Sequence, residues 1–188
     1  MKKLILGIAG ISEVGKTTTA EILQQELNVN AFTISLPVKQ ACAGALGITL
    51  AEFLTYDKNA HLAAINCTAR EFMQRMGDLI VRDNPRALIG ICEWRINCQR
   101  DTTAYSYNGI LVPDLRTDLE CDWMRRMGGT IIHVKQPGKA PKKPHRTEFH
   151  PAIKTGELVI NNSGSLAELK DKVASLAHCI RCDAVETA

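Results

Sequence analysis

Gly10-Ile11-Ser12-Glu13-Val14-Gly15-Lys16-Thr17 fits the pattern G-x-x-x-x-G-K-[ST] at every constrained position. In front of it Leu4 to Ala9 is a continuous apolar run, the pattern of a strand buried on both faces. Behind it Thr17 to Leu27 places Ala20, Leu23 and Leu27 on one side of a helix. A glycine-rich turn between a buried strand and a helix start is a phosphate cradle. Its glycines let successive N–H groups point inward, and the helix terminus adds partial positive charge. In such a cradle Gly10, Ser12, Glu13, Val14, Gly15, Lys16, Thr17 and Thr18 surround the nucleotide phosphates. Lys16 reaches the β- and γ-phosphates, and the Thr17 hydroxyl takes a Mg²⁺ position. ATP and Mg²⁺ are the expected cofactors.

Working outward, Ala31 to Ser35 reads as a second strand, and Pro37 opens a helix continued by Val38 to Leu46. From Ile48 to about Gln99 the pattern is helical throughout, best over Ala69 to Arg82. Gly109 to Val112 is a third strand closed by Pro113. Asp118 to Met127 is a helix stopped by Gly128-Gly129, and Thr130 to Val134 a fourth strand. Leu158 to Ile160 is a fifth strand, followed by a helix from Ser165 to Leu176 with Ser165 as its N-cap. Strands alternating with helices predict an α/β P-loop fold: a five-stranded parallel sheet with helices on both faces. One domain spans 1–188, with a core of 1–36 and 109–180, a helical acceptor-binding insert over 37–108, and a lid over 136–151.

Composition narrows the function classes. A net charge of +3 over 188 residues leaves no global footprint for nucleic acid. No run approaches the roughly 18 apolar residues of a membrane span, so no membrane partner is expected. Seven scattered cysteines, with one Cys179–Cys182 pair and no second, suit free thiols in a reducing, cytoplasmic setting. His145, Glu148 and His150 fit no usual zinc spacing.

The insert supplies cations where a second phosphorylated ligand would sit. Arg70, Gln74 and Gly77 share one helix face, which is also what a solvated helix edge looks like. Asp114, at a strand end, is placed to hold Mg²⁺ or to cap a helix. Lys135, Lys139, Lys142, Lys143 and Arg146 lie in the proline-rich segment, a lid over ATP or a solvated loop. Tyr105, Tyr107, Trp94 and Trp123 suit core or rim better than base stacking.

In order along the chain, several blocks resemble the deoxynucleoside monophosphate kinases of tailed bacteriophages. They are Ser35-Leu-Pro-Val-Lys39, Thr68-Ala-Arg70-Glu-Phe-Met-Gln74-Arg-Met-Gly77 with Arg82, Asp114-Leu-Arg116, His145-Arg-Thr147-Glu148, and Asn162-Ser-Gly164-Ser165. The chain departs from that pattern at Leu119, Lys143 and Glu157. The resemblance implies that Lys39, Arg70, Gln74, Arg82, Asp114, Arg116 and Glu148 bind a nucleoside monophosphate. It gives catalytic roles to Lys16, Arg70, Asp114, Arg116 and Arg146, and a place at the adenine edge to Asn162, Gly164 and Ser165. It also allows a homodimer. The implied activity is phosphorylation of (deoxy)nucleoside monophosphates. The rivals are dephospho-coenzyme A kinase, or another small-metabolite P-loop kinase, and a non-enzymatic nucleotide-dependent switch.

Overall fold

A computed structural model describes residues 3–100, 106–140, 145–148 and 150–186 of the chain, and all their side chains except those of Arg100, Arg146 and 183–186. In chain order the elements are β1 (Leu4–Ala9), α1 (Lys16–Leu27), β2 (Val29–Ala31), α2 (Leu36–Ala45), α3 (Leu50–Thr55), β3 (His61–Leu62), β4 (Cys67–Thr68), α4 (Ala69–Val81) and α5 (Ala87–Arg100). There follow β5 (Gly109–Leu115), α6 (Asp118–Arg126), β6 (Thr130–Lys135), β7 (Leu158–Asn161) and α7 (Leu166–Glu186). They form two compact units, Met1–Thr33 with Arg95–Ala188, and Ile34–Trp94.

The first unit holds the parallel sheet, in the order β2-β5-β1-β6-β7. One face of β1, through Leu6 and Ile8, packs with Ala20, Leu23 and Leu27 of α1 and Leu169, Val173 and Ala177 of α7. The opposite face meets α6. A methyl at Gly7 would lie 2.6 Å from the Leu115 side chain and 3.1 Å from that of Met124, so glycine is what lets the helix close on the strand. Both faces of the sheet are thus covered, as an all-parallel sheet requires.

Three local expectations about this unit are corrected. β2 ends at Ala31 instead of running from Ala31 to Ser35. Phe32 still donates its N–H to Leu111 O, and Phe32 and Ile34 are both buried, but the chain turns at Ile34–Ser35 to enter α2. β5 continues through Pro113 to Leu115. The register steps from Gly7↔Val112 to Ala9↔Leu115, so the proline sits in a bulge that also lies past the end of β2, where its missing N–H costs nothing. α7 runs on to Glu186 because its apolar spacing continues beyond Leu176. Ser165 caps it as expected, accepting from Glu168 N–H at 3.2 Å while Glu168 accepts from Ser165 N–H at 2.7 Å.

The second unit is mostly helical. Val38, Cys42, Ala43 and Phe53 are its buried centre, with Phe72, Met73, Met76 and Ile80 of α4 packed against them. The expectation of helix alone missed the antiparallel pair β3–β4. Two-residue strands are too short to show a period of two, and Asn66 in the left-handed region (φ 49°) makes the turn between them.

Candidate functional site

The loop from Gly10 to Gly15 leaves β1 and enters α1 with three residues at positive φ: Gly10 (150°), Glu13 (61°) and Gly15 (100°). Gly15 is also the N-cap of α1, which has no side-chain cap and no acidic residue in its first turn. By contrast α3, α4 and α6 begin with capping boxes built on Glu52, Glu71 and Glu120. The first turn of α1 therefore has no cap from its own N-cap side chain and no acidic residue of its own to oppose an anion at its dipole. Lys16 is buried (7% exposed); its ammonium donates to Gly10 O at 2.7 Å and to Ile11 O. Thr17 is exposed at the helix start, Thr18 half-buried, and Thr19 Oγ1 donates back to Gly15 O at 3.0 Å.

Three predicted residues from distant parts of the sequence meet at Ser12. Its hydroxyl donates to Glu148 Oε1 at 2.8 Å and accepts from Arg116 Nη1 at 3.1 Å. Arg116 follows β5, and its backbone N–H is held by Glu120 Oε2 at 2.6 Å. Glu120 closes the capping box of α6 on Thr117. Burial raises the Glu120 pKa, and the charge of Asp114 adds to that rise while hydrogen bonds from Arg116 and Thr117 oppose it. Asp114 is nearly buried (9% exposed), one residue before the β5 position that pairs with Ala9. The nearly buried Asp114 carboxylate and the exposed Thr17 hydroxyl at the start of α1 are hard oxygen donors. Such donors fit Mg²⁺, which keeps most of its ligands as water or phosphate. Among the described residues no cluster of three or more His, Cys, Asp or Glu could hold a metal by itself.

Two more contacts reach the loop. Asn162, after β7, donates from Nδ2 to Val14 O at 3.0 Å, and Lys139 donates to Glu13 O at 2.7 Å with its ammonium 3.6 Å from Glu13 Oε2. From the sequence, Asn162 is expected at the adenine edge and Lys139 in a lid or solvated loop. No local signal could reveal that either touches the loop, since they lie 148 and 126 residues from their partners. Gly164 and Ser165 sit at the start of α7. Arg146 and Glu148 form a single 3-10 turn. The Arg146 side chain, Lys142, Lys143 and Tyr105 lie outside the described residues, and the roles expected of them with them. Trp123 is core, whereas Trp94 (66% exposed) and Tyr107 (40%) face solvent.

In the second unit, Thr68 and Glu71 cap α4 reciprocally and fix the start of the helix that bears Arg70 and Gln74. Arg70 donates from Nε to Asn59 Oδ1 at 3.3 Å. Gln74 and Lys39 are half-buried, and a methyl at Gly77 would lie 3.8 Å from Val38, where α2 meets α4. Arg82, the C-cap of α4, is exposed and 3.4 Å from Asp83.

Glu157 is the centre of a brace that sequence reasoning missed. It accepts from Arg125 Nε at 2.7 Å, from His133 Nε2 at 2.8 Å and from Lys154 N–H at 2.8 Å. Burial pushes its pKa up, but these donors outweigh it and hold the carboxyl at about 2. Burial lowers the pKa of the fully buried His133, more than Glu157 raises it.

Comparison with known proteins follows the same lines. The profile of the family described as deoxynucleotide monophosphate kinase matches residues 47–173. The phosphate loop lies ahead of that span and is a separate observation. The chain is 26% identical to a deoxynucleotide monophosphate kinase of Enterobacteria phage T4, over 91% of this chain and 97% of that protein. It is 32% identical to one of Escherichia phage RB69, over 57% of this chain and 43% of that protein. Among solved structures, a protein from Chloroflexus aurantiacus described as a kinase aligns with a TM-score of 0.51 at 13% identity, over 96% of this chain and 97% of that one, which speaks for the fold alone.

Proposed function

This chain belongs to the deoxynucleotide monophosphate kinase family, and on that premise we propose that it moves the γ-phosphate of ATP onto the phosphate of deoxynucleoside 5′-monophosphates, giving diphosphates for DNA precursor synthesis. The observation that carries this reading is the cradle itself: an uncapped helix start behind Gly15-Lys16-Thr17, with the Arg116 guanidinium held against it through Ser12. Main-chain N–H groups from Glu13 to Thr18 bind the ATP phosphates, and Lys16 exchanges its carbonyl partners for the β- and γ-oxygens. Mg²⁺, when bound, supplies further charge neutralisation, and Thr17 and Asp114 are the residues that would hold it.

Arg116 neutralises charge on the transferring phosphoryl group, which its planar fork suits better than an ammonium would. Arg70, Gln74, Lys39 and Arg82 hold the acceptor phosphate and sugar, and Glu148 keeps Ser12 turned toward Arg116. No general base is needed, because the acceptor oxygen is already anionic; alignment and neutralisation suffice. Asn162, Gly164 and Ser165 border the nucleotide. The test is coupled ADP release with ATP, Mg²⁺ and each deoxynucleoside and ribonucleoside monophosphate separately, with dephospho-coenzyme A as a further acceptor and Lys16→Ala protein as the blank. Acceptor-stimulated ADP with one or more deoxynucleotides is the expected result. ATP binding without stimulation by any nucleotide would overturn it.

A further inference from the structure

Two side chains grip the phosphate loop from outside, on consecutive peptide groups. Lys139 Nζ donates to the carbonyl of Glu13 and Asn162 Nδ2 to the carbonyl of Val14. The described residues contain no cis peptide bond. In a planar trans peptide the N–H points opposite to the C=O. Fixing Glu13 O therefore fixes Val14 N–H, and fixing Val14 O fixes Gly15 N–H, each directed away from the donor. With Glu13 and Gly15 both at positive φ, these are the successive N–H groups of an anion-binding nest.

We propose that Asn162 and Lys139 are positioning residues for ATP: they hold the Glu13–Val14 and Val14–Gly15 peptide planes so that two N–H donors face the phosphates before the nucleotide arrives. This rests on the reading of the loop as an ATP site. Three details make the arrangement rigid. The Asn162 backbone N–H is itself tied to Lys135 O at 2.7 Å, at the paired ends of β6 and β7. A methyl at Gly15 would lie 2.8 Å from Asn162 Nδ2 and 3.0 Å from the buried Leu169 side chain, so the loop rests directly on these two residues. Glu13, a non-glycine at φ 61°, needs such support, and the same lysine sits 3.6 Å from its carboxylate, offsetting a negative charge beside the phosphate site. Donors aimed in advance cost no reorganisation when charge arrives.

The experiment compares Asn162→Ala, Asn162→Asp, Lys139→Met and Lys139→Arg with the wild-type chain. It measures ADP affinity by calorimetry, KM for ATP and for the acceptor, kcat, and Tm. Asn162→Ala should weaken ADP binding and raise the ATP KM about tenfold, the scale of losing a group that orients a binding group. The acceptor KM should stay within about twofold and Tm within about 4 °C. Asn162→Asp should be worse than Ala, because a carboxylate opposes the Val14 carbonyl, and Lys139→Arg should recover most of what Lys139→Met loses. ADP affinity within about twofold of wild type in Asn162→Ala overturns the proposal, even if Lys139→Met binds weakly, since that would be charge alone. A loss equal in Ala and Asp that tracks a fall in Tm overturns it as well. If the wild-type chain binds ADP but phosphorylates no nucleotide, the proposed function fails, while the binding comparison still decides the role of Asn162 and Lys139.

Discussion

Lys16, Ser12 and Arg116 illustrate how a residue's role depends on what orients it. Lys16 is buried, and its ammonium is held by the loop carbonyls of Gly10 and Ile11. Arg116 has its backbone tied to Glu120 and its guanidinium tied to Ser12. Replacing Arg116 by Ala should lower kcat by roughly 10²-fold, the range found when a preorganised donor to a developing charge is removed. Turnover within a few-fold of wild type would take it out of the site. Asp114→Asn should raise the Mg²⁺ concentration for half-maximal rate by roughly tenfold, measured by metal titration at saturating ATP. The motif residues were legible in the sequence because the cradle is contiguous. The Ser12–Glu148 contact spans 136 residues, and no local pattern encodes it.

At the level of elements, helix starts divide the labour. α6 begins with Thr117 accepting from Glu120 N–H at 3.3 Å and Glu120 accepting from Thr117 N–H at 3.0 Å, a closed box that leaves little for a ligand. α1 begins with nothing of the kind. Thr117→Ala should cost about 1 kcal/mol and lower Tm by about 3 °C in thermal melts. Because Glu120 also holds the Arg116 N–H, kcat should fall too; a stability loss with unchanged kcat would confine the box to folding. The boundaries of β1, α4 and α6 were readable to within a residue or so, since burial period and caps agree there. β5 was not, because a proline in a strand is tolerated where a bulge or an absent neighbour frees its position, and both are properties of the sheet.

Over the whole molecule, the Arg125–Glu157–His133 brace ties α6, β6 and the segment before β7 into one acid-sensitive unit. Glu157 has its pKa lowered from 4.5 to about 2, so its contribution is present above pH 4.5 and is lost as pH falls toward 2. His133 has its pKa lowered from 6.5 by burial, so below that pH the unfolded chain takes up a proton the folded chain resists. Both effects lower stability on acidification. Urea midpoints should fall from pH 7 to pH 4, and His133→Gln should flatten the part that begins near pH 6.5. A variant curve parallel to the wild type's would locate that loss elsewhere.

Thiol chemistry gives a second global check. All seven cysteines are free: Cys98, Cys179 and Cys182 are exposed, and Cys42, Cys67, Cys92 and Cys121 are buried. Burial pushes the Cys42 thiol up to about 11 and that of Cys121 up to about 12. Three thiols should react quickly with an aromatic disulfide reagent at pH 8, and four only after denaturant is added.

The sequence by itself determined the Gly10–Thr17 motif and the alternating α/β order, because a glycine-rich turn and an amphipathic period are written in neighbouring residues. It also carried the blocks that bring the chain into its family. Only the tertiary structure decided that Asn162 and Lys139 grip the loop, that Ser12 joins Arg116 to Glu148, and that Glu157 carries a brace. The contacts at the loop come from strand order: placing β5 and β6 on either side of β1, with β7 beyond β6, brings residues a hundred or more positions apart to the C-terminal end of the sheet, whereas the brace forms before β7 begins. Hydrogen bonds between side chains that meet only there leave no spacing rule behind.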